Sequence, residues 1–257
     1  KMGLVGNSVR AIHQDIDGNM LFGTERGLSI YDGNDFKNLN YSDGLGNGAV
    51  NAIEVDGKNI WLGGPFPVGS LTLYNGKSLK NFDIPNSSNN MAIGSIKKDQ
   101  SGKIWFTDTD QGLFSYDGQD FTNFTIMDGL PDNDARDLFI DNNNEIWVTT
   151  RLGVAVFNGE TFRTILDFND DNALNLDNVE AVIKSRDGVM FFGQGNRGIV
   201  AYDPTSLRNI TKSDGFKRGN VSDIQFDKDN KLWFSNSWGQ GLHQIENEKI
   251  INSIKEE

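Results

Sequence analysis

The sequence has no cysteine, and its 257 residues include only two histidines and five prolines. Without cysteine the protein forms neither a disulfide framework nor a thiolate metal site. Two histidines cannot build a three-histidine metal centre, and no nucleophile elbow, phosphate-binding glycine loop or nucleotide fingerprint is present. We therefore expect no catalytic residue, no metal and no cofactor, and a protein that is not an enzyme.

Basic residues are in the minority, with 24 Lys and Arg against 36 Asp and Glu, which gives a net charge of -12. Nucleic-acid binding is unlikely with this balance, because phosphate contacts need lysine and arginine to displace counterions. No apolar run approaches the roughly 18 residues of a membrane span, so we expect no direct membrane insertion of this segment. The first four residues do not begin a signal peptide, and an exported protein would have lost its signal.

Glycine is abundant at 29 residues, and 11% of the residues are aromatic, which indicates a folded chain with many turns. Residues 93–130 contain four short strand patterns separated by turn residues. The dipeptide Asp117-Gly118 predicts a two-residue hairpin turn between the third and fourth strands. This stretch predicts one four-stranded antiparallel sheet.

The second strand of that stretch recurs along the whole chain. Its central residue is aromatic or leucine and recurs at intervals of 40 to 44 residues, at Leu21, Trp61, Trp105, Trp147, Phe191 and Trp233. Four strands with this period predict an all-β fold, a β-propeller of four-stranded antiparallel blades. We expect one domain over residues 1–257 with six blades, approximately 8–48, 49–90, 91–134, 135–177, 178–219 and 220–257; the alternative is part of a seven-bladed ring.

The repeated motif resembles the two-component regulator propeller repeats. The first copy carries nearly the whole motif, in Val9–Asp15, Asp17-Gly18, Phe22–Thr24 and Gly27–Gly33. The resemblance implies a sensor-type propeller, similar to periplasmic sensor regions of two-component systems that are often linked to oligosaccharides. It also implies a periplasmic or extracellular location, at the cell surface.

The loops between second and third strands lie at the same end of each blade as the long crossovers, and this end is our candidate ligand face. Arginine can bind a carboxylate or sulfate through two hydrogen bonds, and an exposed tryptophan can stack on a sugar. The candidate ligand-binding residues are Arg10, Arg26, Phe66, Gln111, Arg136, Arg151, Arg197, Trp238 and Gln240. The alternative is that such side chains bind backbone carbonyls of neighbouring blades.

Two other patterns suggest chemistry but have structural explanations. The turn that begins at Asp15 resembles the start of a calcium loop, but the spacing of its carboxylates then fails, and a turn in which carboxylates bind nearby backbone amides explains it better. The recurrent tryptophans fit packing between blades better than a sugar platform. The sequence therefore predicts a non-catalytic sensor-type propeller that binds a small polar ligand or a glycan. A protein-interaction scaffold is the alternative, and a propeller lyase or hydrolase using His13 is a weaker one.

Overall fold

A computed structural model of the protein describes residues 3–46, 48–65, 71–88, 90–167, 178–195, 197–203, 206–210, 216, 219–237, 241–246 and 249–254. Among these residues, 24 strands form six sheets, and each sheet contains four consecutive antiparallel strands in chain order. The predicted all-β fold of six four-stranded antiparallel blades is confirmed. The described residues form two compact units, sheets 1 to 3 and sheets 4 to 6.

The strands of the first unit begin and end at similar positions in each repeat. Sheet 1 contains Val9–Gln14 (β1), Met20–Thr24 (β2), Gly27–Tyr31 (β3) and Phe36–Leu39 (β4). Sheet 2 contains Ala52–Asp56 (β5), Asn59–Gly63 (β6), Leu71–Tyr74 (β7) and Leu79–Phe82 (β8). Sheet 3 contains Ile93–Lys98 (β9), Ile104–Asp108 (β10), Gly112–Tyr116 (β11) and Phe121–Phe124 (β12).

The second unit repeats this arrangement. Sheet 4 contains Ala135–Ile140 (β13), Ile146–Thr150 (β14), Gly153–Phe157 (β15) and Phe162–Asp167 (β16). Sheet 5 contains Val179–Lys184 (β17), Met190–Gln194 (β18), Gly198–Asp203 (β19) and Ser206–Ile210 (β20). Sheet 6 contains Val221–Phe226 (β21), Leu232–Asn236 (β22), Gly241–Glu246 (β23) and Lys249–Ile254 (β24). Short 3₁₀ turns, Tyr41–Asp43 and Ile126–Asp128, follow β4 and β12.

Neighbouring sheets within a unit pack face to face, with their first strands closest together. In the first unit β1 contacts β5 and β5 contacts β9, and in the second unit β17 contacts β21. Leu21, Leu28, Val50 and Ile53 share one apolar cluster between sheets 1 and 2, and all four are at most 6% exposed. The first strand of sheet 2, β5, therefore lies between the first strands of sheets 1 and 3.

The hairpins between third and fourth strands differ from the predicted two-residue turn. In sheet 3, Tyr116 pairs with Phe121, so the loop has four residues, and the Asp117 amide donates to the Asp120 carbonyl. The Asp117 side chain accepts hydrogen bonds from the amides of Gln119 and Asp120. This carboxylate organises a longer turn, which is why the expected two-residue turn is wrong.

Candidate functional site

The crossover end of each sheet is the end where its first strand begins and where the loop between its second and third strands lies. A β-bulge marks this end in several sheets. In sheet 1, Val9 pairs with Thr24 and Ala11 with Gly23, so Arg10 lies outside the ladder. Glu180 and Ser222 occupy the same bulge position in sheets 5 and 6. A bulge redirects a side chain without removing the strand from its sheet, so this position suits a variable recognition residue.

Residues at or beside this position on adjacent sheets contact one another. In the first unit, the exposed Arg10 donates to the Asn51 Oδ1 atom at 2.8 Å. In the second unit, Arg136 forms an ion pair with Glu180, which also accepts a hydrogen bond from the Asn178 amide at 2.9 Å. Arg136 is thus neutralised within its unit, whereas Arg10 contacts a neutral side-chain amide.

Arg26 follows β2 and is an exposed cation at the crossover end of sheet 1. Its side chain is 72% exposed, and its Nε atom lies 3.7 Å from Glu25 Oε1. Glu25 is held by the chain before β1, because its carboxylate accepts hydrogen bonds from the amides of Asn7 at 3.1 Å and Ser8 at 2.9 Å. The Ser8 amide is the main reason that the pKa of Glu25 is lowered. Glu25 therefore stays ionised and anchors the incoming chain.

Gln111 has a structural role in the first unit. Its side-chain oxygen accepts a hydrogen bond from the Ser88 amide at 2.8 Å, and its Nε2 atom donates to the Asn86 carbonyl at 2.7 Å. Both partners belong to the crossover that leads into sheet 3. These bonds match the alternative in which a candidate side chain satisfies neighbouring backbone groups.

Asp108 ends β10 beside Gln111 and is fully buried. Burial raises the pKa of Asp108 to about 6, although its carboxylate accepts hydrogen bonds from the amides of Asp110, Gln111 and Ala92. No sequence motif described above singles out this buried carboxyl. A repeated signal was present, because Thr24 and Thr150 occupy the same strand-end position and are also buried.

The remaining described candidates lie in the second unit. Arg151 donates to Asp132 at 2.8 Å while its side chain remains 54% exposed, and Arg197 is exposed in the loop after β18. Arg151 therefore ties its loop to the crossover before sheet 4. Three candidates, Phe66, Trp238 and Gln240, lie outside the described residues.

The turns that resemble calcium loops bind their own backbone. Asp99 accepts hydrogen bonds from the amides of Ser101 and Lys103, and its second oxygen accepts the indole N–H of Trp105 at 2.9 Å. Asp227 and Trp233 repeat this indole bond at 2.9 Å. Within the described residues, no group of three or more acidic or histidine side chains is placed to hold a metal ion. The aspartates therefore stabilise their own turns, and Asp99 and Asp227 also bind a tryptophan side chain.

The two histidines lie on different kinds of strand. His13 is half-buried on β1, and its Nδ1 atom lies 2.9 Å from the Gln14 carbonyl. His243 is 2% exposed on β23 and stacks on Phe234 with ring centroids 4.9 Å apart. Because His243 is buried in the core of its sheet, solvent-borne substrate does not reach it.

Two segments of the sequence, residues 3–26 and 129–151, match the family model for the two component regulator propeller. These two segments are similar to two component regulator propeller repeats. Each matched segment covers a crossover end followed by the first and second strands of one sheet, β1 with β2 and β13 with β14. The resemblance predicted from the sequence is thereby confirmed.

Solved structures share the fold of these propeller repeats. The extracellular domain of a hybrid two component system from B. thetaiotaomicron has a TM-score of 0.81 and 18% identity, and all of this chain covers 34% of that one. PorZ, a surface component of the type IX secretion system of Porphyromonas gingivalis, has a TM-score of 0.74 and 18% identity, with 99% and 42% covered. Virginiamycin B lyase from Staphylococcus aureus has a TM-score of 0.76 and 12% identity, with 99% and 87% covered.

At these identities the similarity shows the β-propeller fold, which hosts unrelated functions. The chain spans about a third of the length of the extracellular domain named first. No protein of curated function matches the sequence. Among the described residues, no helix is long and apolar enough to cross a membrane.

Proposed function

We propose that this propeller is a non-catalytic, extracellular sensor-type module that binds a small polar ligand with an acidic group, such as an acidic glycan. Its binding surface in this proposal is the crossover end of sheet 1, with Arg10 and Arg26 as the recognition residues. Similarity to extracellular domains of two component systems supports the sensor role and the location.

The exposure of Arg26 is the observation that carries the proposal. The described ion pair of Arg26 with Glu25 is made through the Nε atom, and the Arg26 side chain is 72% exposed. The two terminal amino groups of its guanidinium therefore remain available to a ligand. The adjacent Glu25 carboxylate competes little for these donors, because it accepts two backbone amides. A guanidinium with free parallel donors binds a carboxylate or sulfate through two hydrogen bonds.

Arg10 supports the same surface from the adjacent strand. It lies on the bulge of β1, is exposed, and donates to the neutral Asn51 side chain. An anionic ligand can replace or extend this contact, since an amide oxygen is a weaker acceptor than a carboxylate. The local positive charge thus contrasts with the net charge of -12.

Titration of the protein with uronic-acid and sulfated oligosaccharides, and with neutral oligosaccharides of the same length, tests the proposal. We expect binding of an acidic series only. Arg26→Ala should weaken it roughly 10- to 100-fold, as expected for a charge-assisted hydrogen-bonded contact, and Arg10→Ala should weaken it less. Arg26 is exposed, so the melting temperature should change little.

Arg163→Ala is the matched control, because Arg163 is an exposed arginine on β16, away from the crossover end. If Arg163→Ala and Arg26→Ala weaken ligand binding equally, the binding is nonspecific charge attraction. If no oligosaccharide binds and affinity purification instead yields a stable protein complex, the scaffold function replaces the sensor function.

A further inference from the structure

A cleft of about 400 Å³ lies between sheets 5 and 6 of the second unit, at the end of these sheets opposite the crossovers. Its lining comes from the turns between the first and second strands of both sheets and from the strands beside these turns. Ile210, Leu232 and Ile245 form the buried apolar part of the lining and are at most 6% exposed. A cleft of this volume with an apolar lining is typical of a site for a small molecule.

An ion pair occupies the equivalent place between sheets 4 and 5. Lys184, the last residue of β17, lies 3.0 Å from Asp141, which follows β13. Sheets 2 and 3 repeat this lysine–aspartate pair at 2.5 Å. Between sheets 5 and 6 the same two positions hold Phe226 and Ser185, and both line the cleft. Neither side chain is charged, so no ion pair closes this place.

The aromatic residue on the second strand also differs in sheet 5. Trp61 and Trp147 hold this position in sheets 2 and 4, are 6% exposed, and pack against the next sheet. In sheet 5 the residue is Phe191, which is half-buried and lies edge-to-face with Phe226 at 5.7 Å between ring centroids. Because a phenyl ring is smaller than an indole ring, the sequence of sheet 5 leaves space beside two aromatic side chains.

Two carboxylates with no partner stand at the mouth of the cleft. Asp187 and Asp229 are exposed residues in the turns of sheets 5 and 6, and both line the cleft. Neither carboxylate has a hydrogen-bond or ion-pair partner among the residues that the structure describes. The neighbouring cation Arg186 is not part of the lining and donates to the Lys228 carbonyl at 3.3 Å. Both carboxylates are therefore available to a ligand.

Other polar groups of the lining bind within the protein. Lys231 Nζ lies 4.0 Å from Glu246 Oε1, so these two charges offset each other. The Ser185 hydroxyl donates to the Val189 carbonyl at 3.1 Å and accepts from the Val189 amide at 3.0 Å. The charge that remains unpaired at the mouth is negative.

We propose that this cleft binds a small organic cation that joins an aromatic ring to an ammonium group. The ring packs against Phe191, Phe226 and the aliphatic lining, in the interface position where sheets 2 and 4 carry their own indole ring. The ammonium group lies at the mouth, where Asp187 and Asp229 attract it and an aromatic face adds a cation–π contact. This site does not depend on the Arg26 surface, since it lies in the other unit and takes a ligand of opposite charge.

Isothermal titration calorimetry of the full chain with tryptamine tests the proposal. Three related probes separate the contributions: neutral N-acetyltryptamine and anionic indolepropionate keep the indole ring, and propylamine keeps only the ammonium group. We expect saturable binding of tryptamine alone. Asp187→Asn and Asp229→Asn should each weaken it about two- to fivefold, the range expected for exposed charge pairs. Ser185→Asp combined with Phe226→Lys places the lysine–aspartate pair of sheets 4 and 5 in the cleft and should abolish binding.

Asp17→Asn is the matched control, because Asp17 is exposed and has the position of Asp187 in the corresponding turn of sheet 1. It should bind tryptamine as the wild type does. The three Asp→Asn variants should keep the wild-type melting temperature, since the replaced side chains are exposed, and they decide the question even if the double variant does not fold. Absence of tryptamine binding at millimolar concentration, equal binding of propylamine, or equal weakening in Asp17→Asn would each overturn the proposal.

Discussion

Trp105 illustrates how one residue of the repeat is held. It is 3% exposed and stacks on Phe124 with ring centroids 5.7 Å apart. Its indole N–H donates to Asp99, and the Lys103 ammonium lies 5.5 Å from the ring centroid. Packing, one buried hydrogen bond and a cation–π contact therefore fix this side chain in the core.

We expect Trp105→Ala to lower the free energy of unfolding by about 3–5 kcal/mol, because it leaves a large cavity and an unpaired Asp99 oxygen. Urea unfolding measures this loss. Asp99→Asn should cost less, about 1–2 kcal/mol, since it removes the indole acceptor and keeps the ring. A stability loss below 1 kcal/mol together with loss of glycan binding would instead assign Trp105 to a ligand platform.

Asp108 should make stability depend on pH. Its folded-state pKa is raised to about 6 by burial, above its ordinary value of 3.8, so the folded protein binds the proton more tightly than the unfolded chain. The contribution of this group is fully present below pH 4 and is lost as the pH rises through 6. Relative to Asp108→Asn, the wild type should gain on the order of 1–3 kcal/mol between pH 7 and pH 4.

Urea unfolding of both proteins at four pH values between 4 and 7 measures this difference. The comparison with the variant is needed because Asp99, Asp141 and Asp227 have lowered pKa values and contribute in the opposite direction. A constant difference between the two proteins would show that Asp108 does not titrate in this range.

Sequence reasoning recognised the burial of the tryptophans but not their hydrogen bonds. Trp105 and Trp147 each follow an aspartate by six residues, yet Asp99 binds the indole whereas Asp141 accepts from Lys184 at 3.0 Å. The hydrogen-bond partner of Asp141 is Lys184, which lies on the next sheet and 43 residues away along the chain. Local spacing therefore cannot specify it.

At the level of elements, the glycine on the second strand sets how closely two sheets approach. Gly63 is the example in the first unit, since Ile93 and Ile96 lie directly over its Cα atom. Ile93 and Ile96 are 0% and 1% exposed, so there is no free space for a methyl group added at Gly63. Sheets 2 and 3 thus pack with the Gly63 backbone of sheet 2 against the isoleucine side chains of sheet 3.

We expect Gly63→Ala to lower the free energy of unfolding by about 1–3 kcal/mol, because the Cβ atom forces sheet 3 to shift. Gly3→Ala provides the control, since a Cβ atom at Gly3 meets nothing within 4 Å and the residue needs no positive φ. Equal melting temperatures for the wild type and Gly63→Ala would contradict close packing at this interface.

The hairpins show where turn residues in the sequence are informative. Tyr31, Tyr74 and Tyr116 each donate a hydroxyl hydrogen bond to the glycine carbonyl of the turn that follows, at 2.6–2.7 Å. The Tyr-Asp-Gly and Tyr-Asn-Gly motifs therefore predict a hairpin correctly. Loop length could not be read from them, because the Asp or Asn side chain accepts amides two and three residues later and extends the turn.

At the level of the whole molecule, the period of 40 to 44 residues was sufficient to predict six sheets, because each repeat has its own four strands. The candidate site was less predictable. Arg10 and Arg26 are exposed as the ligand hypothesis requires, whereas Gln111 binds the crossover backbone. The crossovers differ in sequence between repeats. The hydrogen-bond partner of a loop side chain often lies in a crossover, so the repeat motif does not predict it.

The bulge on the first strand has a consequence for how such repeats diversify. Its residue lies outside both the hydrogen-bond ladder and the apolar core, and Arg10, Glu180 and Ser222 already fill it with three different chemistries. Substitutions there change the surface without removing a backbone bond. A combinatorial library restricted to these positions would therefore sample new binding specificities on one unchanged framework.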